Sequence, residues 1–598
     1  MVNLSRDVSY ILKRFSHEGL QFFTVGLPQL GKSFDRALET GLFILPAGFK
    51  PSRKGSQIPA FMQVIFKSVF SESGHILEDP DPYSVQEVRQ VCFLLYKLEA
   101  PYSSEKIDKV LSNFASVERE LQSTFVYTDT RLFARAKSLL LDLFEGFDPL
   151  DIQPGHGPGA VASGEKGFEK WHFKTKYTTL HQKYPYYSYF IVGGGKEVCD
   201  RLSWYKGLRQ QAEPSAKVVL VPKDSRGPRL ISMEPLEVQY IQQGLMRKLV
   251  PWIERHRLTR GVVNFTDQTV NQQFALESSK DKEFATLDLK DASDRVRWDL
   301  VRELFPCGIV PYLSACRSTS TQLPDGSYVP LSKFAPMGSA LCFPVMALTL
   351  WALIRAYLEL ESLKIPEGEN LQETIRSSFH IGRSGSFAIY GDDLIVPSAS
   401  CSGLIRMLES FSLRVNKDKS YCNGNFRESC GVDAFRGVDV TPFRMRKPFS
   451  TNARNSGFLA NSSSLANSLF ARGYWHAASY IRLALEDTFG KLPYGSPSAG
   501  YACIEVEDVC LAEKLNTLRL NKRNIRWNLD YQVHEYRVLA VVRKEGDEAP
   551  WFTGWNRCLC SVLTDWRRSS PLNSGVPFVP KTSFSSLVEN KRRWRPVS

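Results

Sequence analysis

Apolar residues recur at helical spacing over residues 84–98, 130–144, 403–413, 471–485 and 508–520, each with one apolar face. Elsewhere the period shortens. Within residues 217–231 the runs KVVLVP and PRLIS are rich in β-branched residues, and they predict two strands joined by the basic turn Lys223-Asp224-Ser225-Arg226-Gly227. Residues 284–289 predict a third strand, followed by Ser293 as N-cap of a helix over DRVRWDLVRELF. Residues 386–389 and 394–396 predict a β-hairpin around Tyr390-Gly391-Asp392-Asp393, with glycine supplying the turn. GHGPG at 155–159 and the glycines at 193–195 read as loops. The most apolar run, 340–354, is interrupted by Pro344 and closed by Arg355, and it falls short of the roughly 20 residues a membrane span needs. It predicts a buried helix.

A chain of 598 residues exceeds one ordinary hydrophobic core, so several substructures are expected. With 43% hydrophobic and 23% charged residues the composition is globular and excludes wholesale disorder. The 76 Lys and Arg outweigh 63 Asp and Glu, an excess that favours a polyanionic partner such as nucleic acid or an anionic surface. Basic residues also crowd the tail, where Lys591, Arg592, Arg593 and Arg595 surround Trp594. The start, MVNLSRDVSYILKRF, lacks the apolar core of a secretory signal, and the chain is expected to stay where it is made. Twelve cysteines form no CxxC pair, and Cys558 and Cys560 have no histidines at zinc spacing, so free thiols are expected. His156 is expected to be a structural residue.

The acidic positions point to chemistry. Extending a nucleic acid requires an activated 3′-hydroxyl and a stabilised pentavalent phosphorus, and two divalent ions about 3.5–4 Å apart supply both. Mg²⁺ needs only a few hard carboxylate ligands, because water and substrate phosphates complete its shell. Asp392 and Asp393 at a hairpin tip, with Asp288 at the end of a neighbouring strand, form such a set. In LDLKDASDR a second acid, Asp294, lies beyond a strand-to-helix turn, where it can meet the sugar of an incoming nucleotide. Asp291 between them reads as an exposed loop acid favoured by the helix dipole. Lys223, Arg226 and Arg229 suit a triphosphate through charge-assisted hydrogen bonds.

The motifs VPKDSRGPR, DLKDASD, PMGSALCFP and YGDD, in that order, resemble the finger and palm motifs of viral RNA-directed RNA polymerases. DQTVNQ at 267–272, FRESCG at 426–431 and GVDVTPF at 437–443 are similar to the replicase β subunits of leviviruses, the small single-stranded RNA bacteriophages. The resemblance covers residues 155–445 well. It implies an α+β, right-hand polymerase: N-terminal region and fingers over 1–215, fingers with the basic hairpin over 216–285, a palm with an antiparallel sheet over 286–430, and thumb and C-terminal region over 431–598. It also implies replication of a phage genome from NTPs. Asp288, Asp392 and Asp393 would bind two Mg²⁺ ions, with Mn²⁺ as a substitute, and Lys419 would protonate the departing pyrophosphate, Lys417 being the nearby alternative. Lys223, Arg226, Arg229, Asp294, Gly338 and Ser339 would contact the nucleotide, with Gly338 giving its loop flexibility, and Tyr390 and Gly391 would adjoin template and primer. Where the family often has Asn-Gly after Met-Gly, this chain has Ser339-Ala340.

Partners implied by the resemblance are the RNA template and product, NTPs, translation elongation factors Tu and Ts and a ribosomal small-subunit protein, in the cytoplasm of an infected bacterium and without a membrane. Two other readings compete. A reverse transcriptase shares the Tyr-x-Asp-Asp hairpin but carries a bulky aromatic near its first metal Asp, where this chain has Ser293-Asp294. A non-catalytic RNA-binding subunit could keep the fold, though it would not need all three carboxylates.

Overall fold

The computed structural model describes residues 4–123, 129–191, 195–363, 387–543 and 588–597. The loop glycines 193 and 194 and the Cys558–Cys560 pair lie outside them.

Helices α1 (Leu4–Glu18), α2 (Leu27–Thr40), α3 (Pro82–Phe93), α4 (Ser104–Leu121) and α5 (Thr130–Leu143) come first. α3 starts where the Asp81 carboxylate accepts the amides of Tyr83 and Ser84, with Pro82 at a position that needs no amide partner. It stops before the predicted 98 because Leu98 belongs to a different core, with Met445 and Phe458. Phe22, Phe34, Phe66 and Phe70 fill the N-terminal core, which closes on Tyr421, Phe426 and Phe435 from far along the chain. Arg89, 2% exposed, locks this closure by pairing with Asp35 on α2 and with Asp433. Burial raises the Asp35 carboxyl to about 7 in spite of Arg89.

The predicted basic hairpin is present as β1 (Ser215–Asp224) and β2 (Gly227–Met233). α6 (Leu236–Arg255), α7 (Thr269–Asp281) and β3 (Phe284–Lys290) follow, then the short strands β4 (Ser320–Gln322) and β5 (Tyr328–Pro330), and these two extend the hairpin into a sheet of order β2-β1-β4-β5. The helix expected over DRVRWDLVRELF is broken. A short 3-10 turn (Ser293–Arg295) is followed by extended Val296 and Arg297, and only Trp298–Leu304 is α-helical. Pairing is the cause: Phe334 donates to the Val296 carbonyl at 2.7 Å and Trp298 to the Ser332 carbonyl at 2.9 Å, an isolated antiparallel bridge that sets Arg297 opposite Lys333.

α8 (Cys342–Leu363) runs 22 residues, past the apolar run. Pro344 is harmless there because it sits in the first turn. Length and composition alone would suffice for a membrane crossing, a point the shorter apolar run does not reveal, but Val345, Leu348, Trp351 and Leu353 are buried in the main core. Next come β6 (Ala388–Tyr390), β7 (Asp393–Pro397), α9 (Cys401–Ser410) and β8 (Arg414–Val415). Strands 8, 3, 7 and 6 pair antiparallel in that order, and Ala285, Leu287, Leu289, Leu394 and Val396 turn one face of this central sheet into the main core.

β9 (Phe426–Ser429), β10 (Val432–Phe435) and β11 (Val438–Asp439) form a small meander beside α7. α10 (Ser456–Ala471) and α11 (Trp475–Phe489) follow; the helix expected over 471–485 is present from Trp475, its first residues falling at a junction where Gly473, at φ +89°, ends one helix before the next begins. α12 (Val509–Arg519) is capped by Asp508. A sheet of β12 (Ile525–Asn528), β13 (Val533–Arg543) and β14 (Val588–Arg595) ends the described chain. Cys401 and Cys422 are joined as a disulfide, contrary to the expectation of free thiols throughout.

Replacing Arg89 with Met leaves Asp35 buried without a counter-charge and Asp433 with only Arg444, at 3.5 Å, and should cost about 3–5 kcal/mol at pH 8. A carboxyl held above its unfolded value adds stability at low pH and loses it as pH rises through about 7, so the deficit should shrink at pH 5. Urea unfolding of both proteins at the two pH values checks this.

Candidate active site

Strand pairing brings the acids together. In the β3–β7 register Asp288 lies directly opposite Asp393, while the neighbouring pair Leu287 and Leu394 faces the core. Because side chains alternate along a strand, both carboxylates project from the other face. Tyr390 pairs with Asp393 across the hairpin, leaving Gly391 and Asp392 as the two loop residues. Gly391 has φ +65°, and a Cβ there would lie 2.0 Å from the Phe343 ring, so the turn admits only glycine.

The electrostatics show what this juxtaposition costs. Burial, then the charges of Asp392 and Asp288, raise Asp393 to about 7. Burial also raises Asp288, opposed by Lys419 and by the Asn416 amide. Asn416 donates from its side chain to Asp288 Oδ2 at 2.7 Å and from its backbone to the Asp288 carbonyl at 2.8 Å, which fixes the carboxylate's orientation. The Lys419 ammonium is 3.8 Å from Asp288 and 3.6 Å from Glu428, and Glu428 first, then Asp288 and Asp393, hold it protonated well above the usual lysine range. Lys417 is exposed, and its backbone carbonyl accepts from Arg36 at 3.0 Å.

The expected nucleotide contacts divide. Lys223 lies within the field of Asp288 and Lys419, its backbone amide held by the Tyr102 hydroxyl at 3.0 Å. Arg229 is exposed on the same hairpin, whereas Arg226 folds back onto Asp224 at 2.6 Å and over the Tyr96 ring. Asp294 takes a different partner: the fully buried Lys333 binds its Oδ1 at 2.8 Å and Glu118 at 3.0 Å. Gly338, at φ +131°, presses so close to the Ser232 carbonyl that a Cβ would sit 2.1 Å from it, so close approach explains this glycine without any need for flexibility. Ser339 is buried and its hydroxyl accepts the Leu341 amide. The Tyr390 hydroxyl donates to the Phe265 carbonyl at 3.0 Å and accepts from Gln268. Asp291 is not the exposed acid expected. It is half-buried at φ +53°, with Oδ2 buried and unpartnered among the described residues.

Glu428, Asn416, Lys333, Glu118 and Cys430 are absent from the sequence-predicted set. Glu428 and Cys430 lie within FRESCG, and Cys430, at φ +47°, directs its thiol to Asp393 Oδ2 at 3.7 Å. Nothing in local sequence marks the other three. His156 is structural, as expected: it packs among Trp171, Phe173 and Tyr240.

The donor set has the chemistry for hard divalent cations: burial first and then neighbouring carboxylates raise Asp393 and Asp288, so bound positive charge would relieve the cluster. Among the described residues no three or more His, Cys, Asp or Glu side chains are gathered closely enough to hold a metal ion by themselves, so water and substrate oxygens would have to supply the rest of any cation's shell. An open set suits Mg²⁺, which retains water and substrate oxygens.

Removing one like charge should stabilise the metal-free protein. Asp393→Asn is expected to raise stability by about 1–2 kcal/mol at pH 8, with the gain fading toward pH 5, where Asp393 is already protonated, and to abolish any Mg²⁺-induced rise in Tm. Differential scanning calorimetry with and without Mg²⁺ measures both effects.

The family model for the RNA replicase beta-chain matches residues 127–368 and 371–456. The RNA-directed RNA polymerase subunit beta of Qbeta virus (strain MX1) is 35% identical over 236 residues, 40% of this chain and 36% of that protein. The RNA-directed RNA polymerase beta chain of Enterobacteria phage fr is 32% identical over 233 residues, 39% of this chain and 38% of that one. The matched stretch thus spans little more than a third of these relatives. A solved RNA-dependent RNA polymerase of a human picorbirnavirus overlaps 63% of this chain and 73% of its own at TM-score 0.36 and 10% identity, too distant for any argument here. With more than half of its residues matched by the family model, the chain belongs to the RNA replicase beta-chain family.

Proposed function

We propose that the chain is an RNA-directed RNA polymerase, the catalytic subunit of a phage replicase, which joins ribonucleoside triphosphates on an RNA template. The observation that carries this reading is Asp288 facing Asp393 across one strand pair, with Asp392 in the adjoining turn. Two Mg²⁺ ions, or Mn²⁺ in their place, held by these three side chains would activate the 3′-hydroxyl and neutralise charge on the reacting phosphates.

The remaining steps belong to the chain's own groups. Lys419, kept protonated by Glu428 and Asp288, is poised to give its proton to the pyrophosphate oxygen as it leaves. Lys223 and Arg229 attract the triphosphate, while Arg226, engaged by Asp224, chiefly stiffens the hairpin. Lys333 fixes Asp294 through Oδ1 and leaves Oδ2 to accept the ribose 2′-hydroxyl. Gly338 and Ser339 shape the loop behind the nucleotide, and Tyr390 and Gly391 set the hairpin against template and primer. In this reading residues 1–215 and 216–285 act as N-terminal region and fingers, 286–430 as palm and 431–598 as thumb and C-terminal region. Elongation factors Tu and Ts and a ribosomal small-subunit protein of the infected bacterium are the proposed partners, in its cytoplasm.

The purified chain, alone and with those host factors, should incorporate labelled NTPs on an RNA template only when Mg²⁺ or Mn²⁺ is present. Preferential dNTP incorporation would overturn the reading in favour of a reverse transcriptase, and failure with every partner would favour a binding subunit. Asp294→Ala should reduce the preference for NTPs over dNTPs by roughly a hundredfold, since a site that hydrogen-bonds a hydroxyl discriminates strongly against its absence. Competing incorporation of GTP and dGTP measures the ratio.

A further inference from the structure

Sheet β12–β14 carries positive charge that its own carboxylates do not balance. Glu535 and Glu589, the two acids on its strands, are already paired with Arg526 and Lys591. Arg537 and Arg592 have no carboxylate at ion-pair distance among the described residues. Leu539 stands opposite Arg592 and Arg537 opposite Trp594, so the two arginines are diagonal neighbours on one face.

That face walls a cavity of about 250 Å³. The end of α11 and the following turn, with Phe489, Lys491 and Leu492, form another wall, and Asn521 and Asn524 also line it. Arg519 lines it too but is committed to Glu486 and the Leu492 carbonyl. Three cations without an ion-pair partner among the described residues, two side-chain amides and an apolar floor of Phe489, Leu492 and Leu539 remain. A cleft of one charge sign with low-dielectric walls concentrates its field on an anion. A bare phosphate would use the cations and waste the floor, whereas a nucleotide uses both.

We propose that this cavity holds one nucleotide unit of single-stranded RNA, its phosphates on Arg537, Arg592 and Lys491 and its base against Phe489 and Leu539. The polymerase reading enters only in the choice of RNA among anions. None of the cavity's lining residues belongs to the carboxylate site or to the stretch matched by the family model.

The test uses the full chain carrying Asp392→Asn, without NTPs, and a fluorescein-labelled oligouridylate of about 12 nucleotides followed by anisotropy across a salt series. The double variant Arg537→Gln/Arg592→Gln should bind about tenfold more weakly and flatten the dependence of log K on log salt by about 1–2. Arg537→Lys/Arg592→Lys should stay within about threefold of the parent, and the remote exposed pair Lys13→Gln/Lys54→Gln should match it. Unchanged binding by the Gln pair overturns the proposal. So does an equal loss from the remote pair, which would mean net charge alone, or displacement by millimolar inorganic phosphate, which would mean a phosphate site. Should the Gln pair unfold, a tenfold loss in the charge-conserving Lys pair would equally count against it. Because no turnover is measured, the cavity can fail in an active polymerase or hold in an inactive chain.

Discussion

Two carboxylates facing each other across adjacent antiparallel strands form the constraint around which this molecule is arranged. Asp288 and Asp393 repel, Asp392 adds a third charge from the turn, and burial strengthens each interaction. A sheet that only had to be stable would not place them so. The surroundings keep them there: Asn416 grips Asp288, Lys419 and Glu428 set the local charge, and the leucines on the opposite face anchor the strands in the main core. Glycine at 391 lets the turn close against Phe343. Divalent cations would convert this unfavourable cluster into a binding site, which is how a functional centre comes to carry a stability cost.

The parts of this centre differ in how far they could be read from sequence. YGDD was legible because a two-residue hairpin loop is local: apolar runs flank it and glycine is required inside it. The basic hairpin was legible for the same reason. Asp288 was legible as the acid ending a neighbouring strand, but its position directly opposite Asp393 follows from register, which sequence spacing does not specify, and the alternation of Leu287 and Leu394 with the acids makes it intelligible afterwards. Asn416, Glu118 and Lys333 had no local signal at all, since Glu118 meets Lys333 from more than two hundred residues away. Val296 and Arg297 show the converse: a good helical pattern yields when the loop at residues 332–334 offers its backbone a partner. The Gly473 break was visible as a glycine, yet the apolar spacing on either side concealed it.

Function is supported at two distances from the carboxylates. Near them, the Lys333 bridge orders Asp294 and links it to α4 through Glu118, so sugar recognition in the proposed reaction depends on a helix far upstream. Further away, Arg89 fastens the N-terminal core to the meander that carries Glu428 and Cys430. The family membership rests on the middle of the chain, and the N-terminal core is outside that match while supplying the packing on which the meander rests.

In the proposed reaction Asp288, Asp392 and Asp393 together hold divalent cations. Titration of the full chain with Mn²⁺ in the presence of a triphosphate, read by electron paramagnetic resonance, tests it most directly. Two bound ions are predicted, with loss of at least one in Asp288→Asn and in Asp393→Asn while both variants remain folded. Equal Mn²⁺ binding by the native chain and both variants would contradict it.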